Sequence, residues 1–288
     1  MKTSPPDADE IQDCLKQLKN GKASNDIPSS FLKHASENKD FVSELTNLYQ
    51  DVWSKTQVPK LWGHSRLVTL WKGPLKEKID DPTAYRGLQI GSTLCKLMVV
   101  IIINCIRKWY EIQLLDQQQG FRSGRGTTDG IFLTKGLQQI AKKMDIEVHL
   151  LFVDLTAAFD QIDRKWLFKT IKQRFKYDAD FKLFEILEAL YSSTTTALSE
   201  HELDQFIIEL GVRQGGPESP LLFNLFIDYV MRVFLDECAK QKVEFTKLKY
   251  IIPKPASNSN DQFGEYGEHK IDWIGLDMQT ISKRVPLY

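Results

Sequence analysis

Asp154 stands at the end of an apolar run, Val148 to Val153, and opens a segment that closes six residues later on Asp160 (FVDLTAAFD, residues 152–160). A carboxylate in that position loses hydration unless a partner replaces it. One replacement is a Mg²⁺ ion carrying a triphosphate, a hard cation that takes oxygen ligands; on position alone, a structural ion pair explains the acid equally well. About fifty residues later, Gly211 to Asn224 (GVRQGGPESPLLFN) is a Gly-rich turn leading into a helix. Asp160 and Asp163 fall in the turn and helix start that follow Asp154, where acids commonly cap, and both are expected to do so.

The surrounding pattern supplies elements to hold these segments. Asp7 and Glu10 form a capping-box-like start to a helix carrying Ile11, Cys14, Leu15 and Leu18, which Asn20 and Gly21 end. A second helix begins near Ser29, and a third places Phe41, Leu45, Leu48 and Val52 on one stripe before Pro59. Between the first two, Gly21 to Pro28 reads as a loop. Arg66 to Leu70 and the Tyr85-Arg86-Gly87 region suggest a short β-ribbon with a basic tip. A long helix is expected from about Ser92 to Leu115, a Gly-rich loop over residues 120–126, and a helix around Ile131 to Lys143. Val148 to Leu155 reads as a buried strand. Helices follow near Arg164 to Phe175 and Asp180 to Tyr191, then a strand from Phe206 to Val212. A helix opens at Pro217 to Pro220, lined by Leu221, Leu222, Leu225, Phe226, Val230 and Val233. Pro253 to Asp261 is a polar stretch expected to be mobile.

The chain has 288 residues, enough for one large domain or two modest ones, and its 38 basic residues balance 38 acidic ones. Net charge therefore argues neither for nor against a polyanionic partner. The distribution is uneven: eleven Lys and Arg against five acids lie between Lys60 and Arg125, either a phosphate-facing surface or a solvated basic face. Four widely spaced cysteines, with no C-x-x-C pair, suit a reduced intracellular setting, cytoplasm or nucleus. The apolar run Leu97 to Ile103 ends at Asn104, short of the roughly 20 residues a membrane span needs, so no membrane partner is expected. The amino terminus shows no secretory signal pattern.

Phe152 to Asp160 and Gly211 to Asn224 resemble the first and second palm motifs of reverse transcriptases, in the form found in non-LTR (LINE-type) retrotransposons. Gly21 to Leu32 is similar to the Lys-Ala-x-x-Asp-x-Ile-Pro segment upstream of their fingers. Trp62 to Lys72 with Tyr85 and Arg86 is similar to the finger strands, and Gly120 to Asp129 to their Gly-Phe-Arg-x-Gly-Arg-Ser-Thr loop. The resemblance implies an α+β right-hand polymerase fold with fingers and an incomplete palm but no thumb. Its expected divisions are a helical extension at 1–60, fingers at 61–147, partial palm at 148–275 and a tail at 276–288. It implies an RNA-directed DNA polymerase with RNA template, DNA primer and dNTPs as partners. Asp154 would hold catalytic Mg²⁺. Phe159 would lie against the sugar of the incoming nucleotide, although as an isolated residue it reads as a core aromatic. Gln214 and Gly215 would position template base and nucleotide, the Gly admitting close backbone approach. Lys72 and Arg86, otherwise plain surface charges, would grip the triphosphate, and Arg122 and Arg125 would contact nucleic acid.

Three positions depart from that pattern. Gly87 stands where these proteins usually carry Pro, which should loosen the finger loop. Glu218 replaces an apolar residue, expected to place a carboxylate near a nucleic-acid surface. No Asp-Asp pair follows Val243, although two ions about 3.5–4 Å apart need a second carboxylate. Ile271 to Gly275 resembles the strand that leads into that pair. Asp277 to Ile281 back-translates as GAY-ATG-CAR-ACN-ATH, and from its third base this permits Tyr-Ala-Asp-Asp. The expectation is a frameshift between Gly275 and Asp277, a chain inactive as written and prone to aggregate. The alternative is a non-catalytic remnant that binds nucleic acid or a pseudogene product.

Overall fold

The computed structural model describes residues 4–21, 23–73, 80–116, 118–145, 147, 155–175, 181–192, 194–198, 205–242, 245–246 and 275–276. Asp154 and the strand leading to it, the polar stretch from Pro253 to Asp261, residues 271–274 and the tail after Leu276 lie outside the described residues. The chain forms two compact units, each discontinuous in sequence: Met1–Ile112 with Leu155–Phe226, and Gln113–Asp154 with Ile227–Tyr288.

The first unit begins with three helices, α1 (Ala8–Lys16), α2 (Ser29–Ala35) and α3 (Lys39–Lys55). The expected capping box is present: Glu10 N–H donates to Asp7 Oδ1 at 2.9 Å and Asp7 N–H donates to Glu10 Oε2 at 3.2 Å. Ile11 and Leu15 of α1 are fully buried, as is Leu32 of α2. The buried stripe of α3 runs through Val42, Leu45, Tyr49, Val52 and Trp53. It is turned slightly from the expected one, leaving Phe41 and Leu48 half-buried at its margins. Tyr49 fills the difference because its hydroxyl can reach a polar group: it donates to the Leu94 carbonyl at 2.8 Å.

Two strands, β1 (His64–Trp71) and β2 (Tyr85–Gly91), form the expected ribbon, paired antiparallel from Ser65↔Gly91 to Trp71↔Tyr85. After β2 comes α4 (Thr93–Gln113), apolar through Leu97, Met98, Ile102 and Ile106. Its first turn is capped from far away in sequence, since Thr93 N–H donates to Asp26 Oδ1 at 2.9 Å. Asp26 is thereby held below the usual carboxylate range by bonds from Ser92, Thr93, Ser24 and Ile27, which outweigh the opposing effect of burial. The stretch from Gly21 to Pro28 is thus a loop, as expected, and it docks on α4.

Within the same unit, α6 (Arg164–Phe175) and α7 (Phe181–Ser192) pack through Leu167, Phe168, Ile171, Leu183, Phe184 and Leu187, all buried. Helix α5 (Thr127–Met144) belongs to the second unit. Two short strands, β3 (Thr195–Ala197) and β4 (Gln205–Ile207), extend the ribbon to a mixed sheet of order β2-β1-β3-β4. β3 runs parallel to β1 and antiparallel to β4. The strand expected over Phe206 to Val212 therefore stops at Ile207. Its remaining residues bond elsewhere, with Leu210 bridging Asp163.

The second unit holds α5, the carboxyl half of α8 (Ser219–Lys240), and the two-residue ladder of β5 (Phe245–Thr246) with β6 (Gly275–Leu276). Leu221, Leu222 and Leu225 of α8 are buried as expected, but Val230 and Val233 are 43% and 48% exposed. Helical phase explains the difference. Asp228, fully buried, continues the inward stripe and accepts from Leu115 N–H at 2.6 Å and from Arg232 Nε at 2.8 Å. At 100° per residue, Val230 and Val233 then fall on the far side. Among the described residues no helix is long and apolar enough to cross a membrane.

Candidate nucleotide and template face

The two segments singled out by their chemistry meet in the first unit. Residues 155–163 form a tight turn, with Asp160 N–H donating to Ala157 O at 2.9 Å, and with Ala157 at a left-handed φ of 49°. Against it runs the second segment: Gly211 N–H donates to Ile162 O at 2.7 Å and Val212 N–H donates to Phe159 O at 2.8 Å. Gly211 is required there twice over. Its φ is +78°, and a Cβ would stand 2.8 Å from the Cα and O of Asp160 and from the O of Phe159, backbone atoms that cannot yield.

Behind the turn lies a polar core. Arg164 is 7% exposed; its Nε donates to Gly211 O at 2.7 Å, and its Nη1 to Tyr191 O, Ile208 O and the Thr194 hydroxyl. All are neutral acceptors, and burial pulls its pKa down to about 10. Tyr191 is flanked by two guanidinium groups, Arg164 at 5.0 Å and Arg213 at 5.2 Å from the ring centroid. Its hydroxyl donates to Glu218 Oε1 at 2.9 Å and accepts from Arg213 N–H at 3.3 Å, while burial pushes its own ionisation up. Arg213 Nη2 donates to Leu190 O at 2.6 Å, and Ser219 Oγ donates to Arg213 O at 2.5 Å. Cys95 faces Arg213, and burial pushes its thiol up to about 11. With Lys96, Arg213 and Glu218 it lines a cavity of about 20 Å³.

This corrects the expectation for Glu218. It is 1% exposed and belongs to the buried network, because the Tyr191 hydroxyl reaches it from behind; it offers no carboxylate to a nucleic-acid surface. Gly87 also differs from expectation. It sits within β2 opposite Thr69, in the paired ribbon, and a Cβ there would meet Leu67 Cδ1 at 2.9 Å. It lies in a paired strand and not in a loose loop.

The outward side carries the residues with expected roles. Gln214 is tied to β2, Gln89 N–H donating to its carbonyl at 2.8 Å. Gly215, at φ +106°, lies so close to β2 that a Cβ would stand 2.8 Å from Leu88 Cδ1 and 3.2 Å from Gln89 O. Its close approach is therefore to the chain's own strand. Arg86 is two residues from Leu88 and shares its face of the ribbon, because strand side chains alternate. Leu70 is directly opposite Arg86, and Lys72 lies two residues further on the same side. Lys72 and Arg86 are both exposed, and Lys72 Nζ donates to Thr83 O at 2.8 Å. Phe159 is half-buried and stacks on Phe223, with centroids 4.7 Å apart and planes at 9°. Asp163 caps α6 as expected, accepting from Trp166 N–H at 3.0 Å. Asp160 does not cap: its two carboxylate oxygens accept from Gln214 Nε2, each at 2.7 Å.

Arg122 and Arg125 belong to the second unit. Arg122 Nη1 donates to Leu115 O at 2.9 Å and Gln118 O at 3.2 Å. Arg125 holds Asp116, through its carbonyl at 2.7 Å and its Oδ1 at 3.1 Å. Both clamp the turn that follows α4. Asp154 has no described geometry, and among the described residues no three His, Cys, Asp or Glu side chains are grouped to hold a metal. The described residues do not by themselves make an ion site.

The first unit is thus mixed α+β and joins the two segments against the edge strand β2. The chain belongs to the reverse transcriptase (RNA-dependent DNA polymerase) family, whose model matches residues 75–251. It is similar to the Retrovirus-related Pol polyprotein from type-1 retrotransposable element R2 of Nasonia vitripennis, 26% identical over 191 residues, covering 65% of this chain and 18% of that protein. It is similar also to the Probable RNA-directed DNA polymerase from transposon BS of Drosophila melanogaster, 26% identical over 185 residues, covering 63% of this chain and 20% of that protein. A third relative, the Pol polyprotein of type-2 element R2DM from the same fly, is 23% identical over 158 residues, covering 54% of this chain and 14% of that protein. The chain thus spans a fifth or less of these relatives' length. It carries a reverse transcriptase domain, and these relatives belong to transposable elements.

Proposed function

We propose that this domain is by descent one of RNA-templated DNA synthesis and engages that reaction's partners, RNA template, DNA primer and dNTPs, inside the cell. The observation that carries the reading is the joint between the segments around Asp160 and Gln214. It gathers Phe159, Gln214, Gly215 and the face bearing Lys72 and Arg86 around one edge of β2. On this reading Lys72 and Arg86 bind the triphosphate through charge-assisted bonds, Phe159 packs on the sugar, and Gln214 with Gly215 sets base and nucleotide. Arg122 and Arg125 contact nucleic acid from the turn they clamp. The division into fingers at 61–147 and partial palm at 148–275 follows the same reading.

Reverse transcriptases in general use divalent metal ions. A Mg²⁺ held by Asp154 would stabilise charge developing on the transferred phosphoryl group. The absence of an Asp-Asp pair after Val243 leaves one carboxylate of that site unsupplied, so the chain as written binds its partners without extending the primer. A frame change between Gly275 and Asp277 accounts for the loss.

Primer extension on poly(rA)/oligo(dT) tests the inactivity, with Asp154→Ala as control: DNA synthesis abolished by that change would refute it. Gel-shift binding of the same primer–template tests the broader reading, which fails if Lys72→Ala and Arg86→Ala leave dTTP-dependent stabilisation of the complex unchanged. Sequencing across codons 270–288 tests the frame.

A further inference from the structure

We infer that Asp160 is a positioning residue that fixes the orientation of the Gln214 amide, so that Gln214 holds its acceptor Oε1 toward nucleotide or template. The inference rests on the reading of this face as the nucleotide site. Gln214 Nε2 lies 2.7 Å from Asp160 Oδ1 and 2.7 Å from Oδ2. A carboxylate oxygen only accepts, so the amide must turn its nitrogen inward, and one N–H is shared between the two oxygens, which lie too close together to take both. The amide is thereby held with Oε1 away from Asp160.

Main-chain bonds hold both partners in place. The carbonyl of Phe159, next to Asp160, accepts from Val212 N–H, and the carbonyl of Gln214 accepts from Gln89 N–H. Phe159 is itself held in a stack on Phe223. An amide without the carboxylate could flip about its terminal torsion and offer either end at similar energy. With Asp160 present, the amide is held one way round, and a group that bonds Oε1 has to bring an N–H or O–H of its own.

A simple tether between two loops would have the same bonds but a different sensitivity to substitution. Asn at position 160 still hydrogen-bonds Gln214 in either amide orientation, so it keeps a tether and loses the polarity. The test uses the full chain on poly(rA) with an oligo(dT) primer ending in a dideoxy residue, so that no extension occurs. The readout is the dTTP concentration that protects the complex against heparin. Asp160→Asn is expected to weaken dTTP binding about tenfold, the scale of one charge-assisted hydrogen bond, while melting within about 2 °C of the parent. In the double variant Asp160→Asn with Gln214→Glu, the Asn amide donates to the Glu carboxylate, whose other oxygen faces outward. It is expected to bind dTTP within about threefold of the parent, whereas Gln214→Glu alone, with two facing carboxylates, is not. Parental dTTP affinity in Asp160→Asn, or a double variant no better than either single change, overturns the inference. A parent complex that holds primer–template with no response to dTTP overturns the nucleotide-site reading and this inference with it.

Discussion

The turn from Gly211 to Ser219 has an inner side and an outer side built from neighbouring residues. Gly211, Arg213, Glu218 and Ser219 face inward and join Arg164 and Tyr191 in a buried network. Gln214 faces outward with Asp160, and Gly215 lies against the edge of β2. Inward groups are expensive to change because a buried polar group that loses its partner pays its desolvation, whereas outward groups are stabilised little by theirs. The contrast separates, within one motif, residues that build the surface from residues proposed to meet a ligand.

Gly211→Ala is the largest expected blow to the inner side. It combines left-handed strain with three backbone collisions and should lower stability by at least about 3 kcal/mol, read as a loss of cooperative melting or of soluble protein. A variant that melts like the parent would break the distinction. Alkaline pH probes the same side. Cys95 has a raised folded pKa, about 11 against an ordinary 9, so the unfolded chain ionises first. Its stabilising contribution is complete below pH 9 and lost as pH rises toward 11, about 2–3 kcal/mol at most. Denaturant titrations at pH 8.5 and 10.5 should show a fall in stability that is smaller in Cys95→Ala. Next in size is Tyr191→Phe, which strips Glu218 of its hydroxyl donor and should cost about 1–3 kcal/mol by chemical denaturation. The smallest effect belongs to the outer side: Lys72→Ala and Arg86→Ala should move the melting free energy by less than about 0.5 kcal/mol. They should nevertheless weaken dTTP binding by about tenfold or more.

Local signals in the sequence carried through to the structure. Asp7 and Glu10 cap α1 across three residues, and Asp163 caps α6 over the same distance, so both could be read from spacing. The long helix at Thr93 and the ribbon of β1 and β2 follow from composition and period. Misreadings arose where the deciding partner was remote. Asp160 looked like a cap because Gln214 is 54 positions away, and Glu218 looked like a surface acid because Tyr191 is 27 positions away. Arg164 gave no signal at all: an Arg at a helix start ordinarily points to solvent, and only the fold collects four acceptors around it. Val230 and Val233 fit an apolar helix stripe, but Asp228 took the inward phase.

The parallel pairing of β1 with β3 also bears on how the chain comes off the ribosome. His64 and Thr195, which start that pairing, are separated by 131 positions. At synthesis rates of about 5–20 residues per second, roughly 7–26 s pass before β3 can follow β1 out. Throughout that interval the β1 edge carries unpaired main-chain groups that another nascent chain could capture. Elongation rate and chaperone supply, more than the final stability of the fold, should therefore govern how much soluble protein a cell obtains from this sequence.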